Sequence, residues 1–203
     1  MYKDASELMS QCKEQNKRIW QIAVENEMKL TSSSYEDILS RFDDRLEIMF
    51  HSAQKALNAK QATKGGLIDG VAKTQYDYSK KENISGRYIN YVMSLAYSCS
   101  EVNASMGKIC ASPTAGSCGI VPAVLLGLSQ AKNISREKTL EGLITASAVG
   151  AIYTKNATVA GADGGCQAEC GVARSMAAAA AAYMMGADDD KCLDAAGFAM
   201  INI

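Results

Sequence analysis

Proline is nearly missing from this sequence, with two in 203 residues, Pro113 and Pro122. Long stretches therefore contain nothing that removes a helix hydrogen bond, and the abundant alanine favours helix. Histidine occurs once, at position 51. That excludes a site built from several histidines and leaves a Ser–His–Asp arrangement weakly supported. His51 lies beside Phe50, off the clearest apolar stripe of its segment, and reads as structural or solvated. Excess charge is missing too: the net charge is −1. No field draws nucleic acid or an anionic membrane, so neither partner is expected. No apolar run reaches membrane length. GIVPAVLLGLSQA (119–131) is too short, and the alanine run after Gly171 is interrupted by Arg174. Period-two alternation is absent, and neither a Walker loop nor a G-x-S-x-G elbow occurs.

What remains is helical. Leu8, Cys12, Ile19, Ile22, Ala23 and Met28 keep a stripe over 7–29, with a break near Gln15. Ser34 and Asp37 form a capping box for a helix carrying Ile38, Leu39, Phe42, Leu46, Met49, Phe50, Ala53 and Leu57 and ending near Lys60. The glycine-rich 63–75 stretch reads as loop. Helical spacing returns over 84–107, after Ser135, along 172–185, and from about Asp188 to the last residue. The fold class is all-α, one helical domain over 1–203, with two glycine-rich loops at about 108–121 and 160–171.

There are seven cysteines, and the first residues, MYKDASELMSQCKEQNK, are polar and charged. An odd count without a secretory signal points to a reducing cytoplasm, where clustered thiols serve metal or redox chemistry. Cys166 and Cys170 lie in GADGGCQAECG (161–171). Their C-x-x-x-C spacing by itself suits two packed thiols. The surrounding glycines allow close backbone approach to a ligand, and the start of a helix favours a thiolate. ASPTAGSCG (111–119) is either a tight turn or a cradle of N–H groups to which Thr114 and Ser117 add hydroxyls.

KICASPTAGSCGIVPAVL and NATVAGADGGCQAECGVARSMAAA together closely resemble the iron–sulfur-dependent L-serine dehydratases, specifically the α chain of the two-chain type. The likeness extends through SSSYEDI…RLEIM and KGGLIDG and covers nearly the whole chain. It implies an ammonia-lyase of amino-acid degradation that converts L-serine to pyruvate and ammonia. The implied cofactor is a [4Fe–4S] cluster acting as Lewis acid on the substrate hydroxyl, without pyridoxal phosphate. The implied partner is a β chain. Residue by residue, Cys166 matches a cluster cysteine. Thr114, Gly116 and Ser117 match a loop suited to the substrate carboxylate. Asn156, Gln167 and Glu169 fall in matched stretches as polar lining. Cys118 and Cys170 sit where relatives vary, which suits supporting or packing roles. The catalytic base is not identified.

Two departures stand out. Asp163 replaces a common Glu. The other cluster cysteines of the family belong to a C-D-P-x-x-G-x-x-x-x-P-C segment beyond a helix like AAGFAMINI, and the sequence stops before it. The expectation is a C-terminally truncated chain that cannot supply a full ligand set alone. Two alternatives remain: a non-catalytic helical subunit that binds a partner, and a four-cysteine zinc or iron–sulfur site using Cys110, Cys118, Cys166 and Cys170.

Overall fold

Serine starts two of the long helices as the sequence suggests. Ser34 accepts from the Asp37 N–H at 3.1 Å, and Ser135 accepts from Lys138 at 3.2 Å. The computed structural model describes residues 2–201. Among the described residues the elements are all helical: α1 Ala5–Gln15, α2 Ile19–Thr31, α3 Tyr35–Lys55, α4 Val71–Ser79, α5 Arg87–Ala104, α6 Ile120–Lys132, α7 Arg136–Asn156, α8 Gly161–Met184 and α9 Asp189–Ile201. None of them is long and apolar enough to cross a membrane.

Helix α8 lies at the centre. Its buried face is Val172, Ala173, Met176, Ala177 and Ala180, small enough for α6, α7 and α9 to approach closely. Helix α7 answers with glycines: Gly150 meets Met176 and Gly142 meets Met184. Leu46 and Met49 of α3, with Val121 and Leu125 of α6, complete this core. A second core joins α1 and α2 to α8 and α9 through Leu8, Ile19, Ile22, Tyr183 and Cys192. A third, between α3, α5 and α6, holds Leu57, Leu95, Cys99 and Cys118.

Three boundaries differ from the sequence reading, each for a tertiary reason. Helix α3 stops at Lys55 rather than near Lys60, because the Ala56 N–H donates to the Ser98 hydroxyl of α5 at 3.0 Å. Helix α4 emerges from the 63–75 stretch because Glu101 of α5 accepts from the Ala72 N–H at 2.7 Å and caps it from afar. The third concerns 160–171. This stretch is helical from Gly161 rather than a loop, with a break at Gly165 (φ +75°, ψ 174°). Ala160 O accepts from Asp163 N at 3.1 Å and Gly164 N at 3.0 Å, closing a first turn. Asp163 places negative charge at the helix start, where the dipole favours it. The 108–119 stretch is non-helical throughout. Its Ser112–Pro113 peptide bond is cis, and Pro122 falls in the first turn of α6.

Candidate active site

The turn ahead of α6 is held on both sides. Gly119 packs so tightly on α5 that a Cβ there would lie 2.5 Å from the Ala96 carbonyl oxygen. Asn103, at the end of α5, donates to Ala115 O at 3.2 Å. Within the turn, Ser117 Oγ lies 3.2 Å from Thr114 Oγ1 and donates to Ser112 O at 3.3 Å. The Thr114 hydroxyl donates to the carboxylate of Glu169 on α8.

That bond joins two segments 55 residues apart in the chain. Glycines make room for it. A side chain at Gly116 would collide with the Glu169 carboxylate, and a Cβ at Gly161 would lie 3.1 Å from its Oε1. The carboxylate therefore sits between the proline turn and the first turn of α8, with Thr114 as donor. Glu169 brings a negative charge to this spot, so it suits a cationic group of a ligand. The hydroxyls of Thr114 and Ser117 suit an anionic one.

Cys166 follows the Gly165 break directly, at the first turn of the long uninterrupted part of α8. It is exposed, and its Sγ lies 3.6 Å from Cys170 Sγ one turn on. Burial, then the neighbouring Cys166 thiol, push the Cys170 pKa up. Gln167 is exposed on the same turn. The remaining cysteines go elsewhere. Cys118 lies in the core against Cys99, Leu57 and Leu126, and burial raises its pKa to about 11. Cys110 borders a cleft lined by Arg41 and Arg45. Among the described residues no three His, Cys, Asp or Glu side chains converge as metal ligands, so the four-cysteine site of Cys110, Cys118, Cys166 and Cys170 is not assembled. Asn156 donates to Lys3 O at 2.7 Å and Ile152 O at 2.8 Å, which ties the end of α7 to the N-terminal segment.

The family model described as the serine dehydratase alpha chain matches residues 14–203. The chain belongs to this family. It is 41% identical over 204 residues to the L-serine dehydratase, alpha chain, of Peptoniphilus asaccharolyticus, covering 100% of this chain and 70% of that protein. It is 36% identical to the probable L-serine dehydratase, alpha chain, of Bacillus subtilis (strain 168), covering 68% of it. It is 31% identical to L-serine dehydratase 1 of Escherichia coli (strain K12), covering 98% of this chain and 45% of that protein. The chain is thus of the L-serine dehydratase type of enzyme, and the alpha-chain names belong to relatives whose family includes two-chain enzymes.

An iron–sulfur cluster is the usual cofactor of this kind of enzyme, and the described residues fit it in part. Cys166 is an exposed thiol beside a glycine break, as a ligand must be. A four-iron cluster is held by several thiolates, and the described residues bring Cys170 near Cys166 and no third metal-binding side chain. What they offer toward such a cofactor is two thiols one turn apart.

Two contributors escape sequence reasoning. Asn103 positions the turn from α5, and the Ser112 carbonyl anchors Ser117. A side-chain amide in the last turn of a helix that precedes a Gly/Pro turn is the one local hint of the first. The second depends on how the turn closes.

Proposed function

We propose that the chain carries the substrate site of an L-serine ammonia-lyase that forms pyruvate and ammonia, with Cys166 as one ligand of a [4Fe–4S] cluster and no pyridoxal phosphate. The observation that carries this reading is the bond from Thr114 to Glu169. It brings the proline turn and the cysteine segment, the two stretches most like the family's, into one site.

The roles follow from charge. The N–H groups of the turn at Gly116 receive the substrate carboxylate, Ser117 braces that turn on the Ser112 carbonyl, and the Thr114 hydroxyl swings from Glu169 to the substrate carboxylate once the ammonium group takes its place. The Glu169 carboxylate receives the ammonium group. Gln167 offers an amide at the rim of the same turn. Asn156, bonded to Lys3 and Ile152 carbonyls, holds the end of α7 in place beside the segment leading into α8. Cys170 supports Cys166, and Cys118 fills the core. The chemistry that a cluster supplies when bound is Lewis acidity toward the β-hydroxyl, a poor leaving group. Loss of the α proton and of that hydroxyl gives 2-aminoacrylate and water. Tautomerisation and hydrolysis then consume a water and give pyruvate and ammonia. A β chain completes the enzyme, and the seven unpaired cysteines suit a reducing cytoplasm.

The test is anaerobic iron–sulfur reconstitution of the complete enzyme with its β chain, followed by assay of pyruvate from L-serine. Iron-dependent pyruvate formation is expected. Its absence after confirmed cluster loading rejects the reading. Thr114→Val should lower kcat/KM by about tenfold or more, as loss of a hydrogen bond to a charged group does.

A further inference from the structure

We infer that the cleft between α4, α5 and the end of α6 is a binding site for a nucleoside monophosphate. Its volume of about 490 Å3 lies in the range of small-molecule pockets. Tyr76 and Lys80 line it from the end of α4, Arg87, Tyr88 and Tyr91 from the start of α5, and Gln130 from the end of α6. The turn of the candidate active site lies at the other end of this helix pair: it leads into α6 and accepts from Asn103 at the end of α5. Nothing in the cleft depends on the reaction proposed for that turn.

Charge selects an anion. Lys80 and Arg87 line the cleft, and among the described residues no carboxylate does. Lys80 Nζ lies 3.5 Å from Asp77, a carboxylate that Lys73 also contacts, so this corner keeps an excess of positive charge. Arg87 has no carboxylate partner among the described residues. Its guanidinium offers paired N–H donors, the geometry that a phosphate accepts. The rings select a flat partner. Tyr76 and Tyr91 are tilted against each other with centroids 5.9 Å apart, and Lys80 Nζ sits 3.8 Å over Tyr76. Tyr88 is 45% exposed and carries neither a ring nor a cation among the described residues. Its face is open for a base to stack on. Gln130 Oε1 accepts from the Tyr91 hydroxyl at 2.6 Å, which leaves the amide NH2 as a donor toward a ring nitrogen of a purine. Phosphate alone uses the cations and leaves the ring bare, and a nucleoside alone does the reverse. A nucleoside monophosphate uses both.

Isothermal titration of the full chain with AMP tests this directly. One binding event is expected, weakened about tenfold in Arg87→Gln and likewise in Tyr88→Ala, and unchanged in Thr114→Val. Adenosine lacks the phosphate and ribose 5-phosphate lacks the base, so each should bind about tenfold more weakly than AMP, or worse. Arg87 and Tyr88 are both exposed; circular dichroism checks folding, and either variant decides alone if the other fails to fold. No binding of AMP at about 10 mM, beyond the millimolar range of weak ligands, overturns the proposal. So does AMP binding that Arg87→Gln and Tyr88→Ala leave intact, or binding that Thr114→Val abolishes, which places the ligand in the candidate active site. Ribose 5-phosphate that binds as tightly as AMP also overturns it, because the base then contributes nothing. Failure of pyruvate formation with AMP binding intact removes the proposed function and leaves the nucleotide site standing.

Discussion

Glycine at 116 is required by a carboxylate rather than by backbone conformation. A Cβ there meets Glu169, so Gly116→Ala must push that side chain off Thr114. The expected loss is about 1–3 kcal/mol, the usual range for overpacking, together with the link between the two segments. Thermal unfolding measures the first. Retained tight substrate binding in the variant would count against the second. Buried thiols give a pH dependence at the same scale. Burial holds Cys99 at about 12 and Cys118 at about 11, against an ordinary 9.0. The folded chain keeps these protons to higher pH than the unfolded chain does. The stability they contribute is therefore complete below about pH 9 and is lost as pH rises through 11 to 12. Stability measured against pH should fall more gently above pH 9 in Cys99→Ala than in the parent. The sequence shows Cys166 and the Thr114–Ser117 turn as chemically suggestive, because glycine, hydroxyl and thiol cluster within a few positions. It does not show that Cys118 turns inward while Cys166 turns outward. That depends on packing between α3, α5 and α6, which no local spacing encodes.

At the scale of elements, glycines fall into two mechanical kinds. At Gly119 the obstacle is the Ala96 backbone oxygen, which cannot move without moving α5. At Gly150 the obstacle is the Met176 thioether, 2.9 Å from the missing Cβ and able to swing. Gly119→Ala should cost about 2–3 kcal/mol. Gly150→Ala should be close to neutral, because alanine improves a helix interior by about 1 kcal/mol relative to glycine. Denaturant titration of the pair checks the contrast. Gly165 is a third case. Its φ of +75° is one that L side chains adopt poorly, so Gly165→Ala should destabilise by about 1–2 kcal/mol and turn Cys166 away from its present direction. Helices with a local cap, α3 and α7, are legible from sequence. Helix α4 is not, because its cap is Glu101, 29 positions on. The start of α8 is hidden for the opposite reason: its glycines look like loop, while Asp163 and the Ala160 carbonyl close a turn.

Over the whole molecule, the start of α2 is clamped to the start of α9. Arg18, at the start of α2, donates from Nε to both oxygens of Asp189 on α9 at 3.0 Å and from Nη2 to Ala187 O at 2.8 Å, and it stacks on Tyr183 at 4.8 Å. Asp189 is nearly buried and Arg18 partly exposed, so solvent screens part of the pair. Arg18→Ala should cost about 1–2 kcal/mol and loosen α1 and α2 from α8 and α9. Faster amide exchange in those helices, with α5 and α6 unchanged, is the expected signature. The candidate active site lies where the turn ahead of α6 meets the first turns of α8, and the bond from Thr114 to Glu169 bridges the two. On the function proposed above, this bridge and Cys166 together form an L-serine dehydratase site. The most direct test compares iron content and anaerobic pyruvate formation for the complete enzyme and its Cys166→Ser variant after identical reconstitution. The parent should hold iron and make pyruvate, and the variant should do neither. A variant with parental iron content and parental turnover would contradict it.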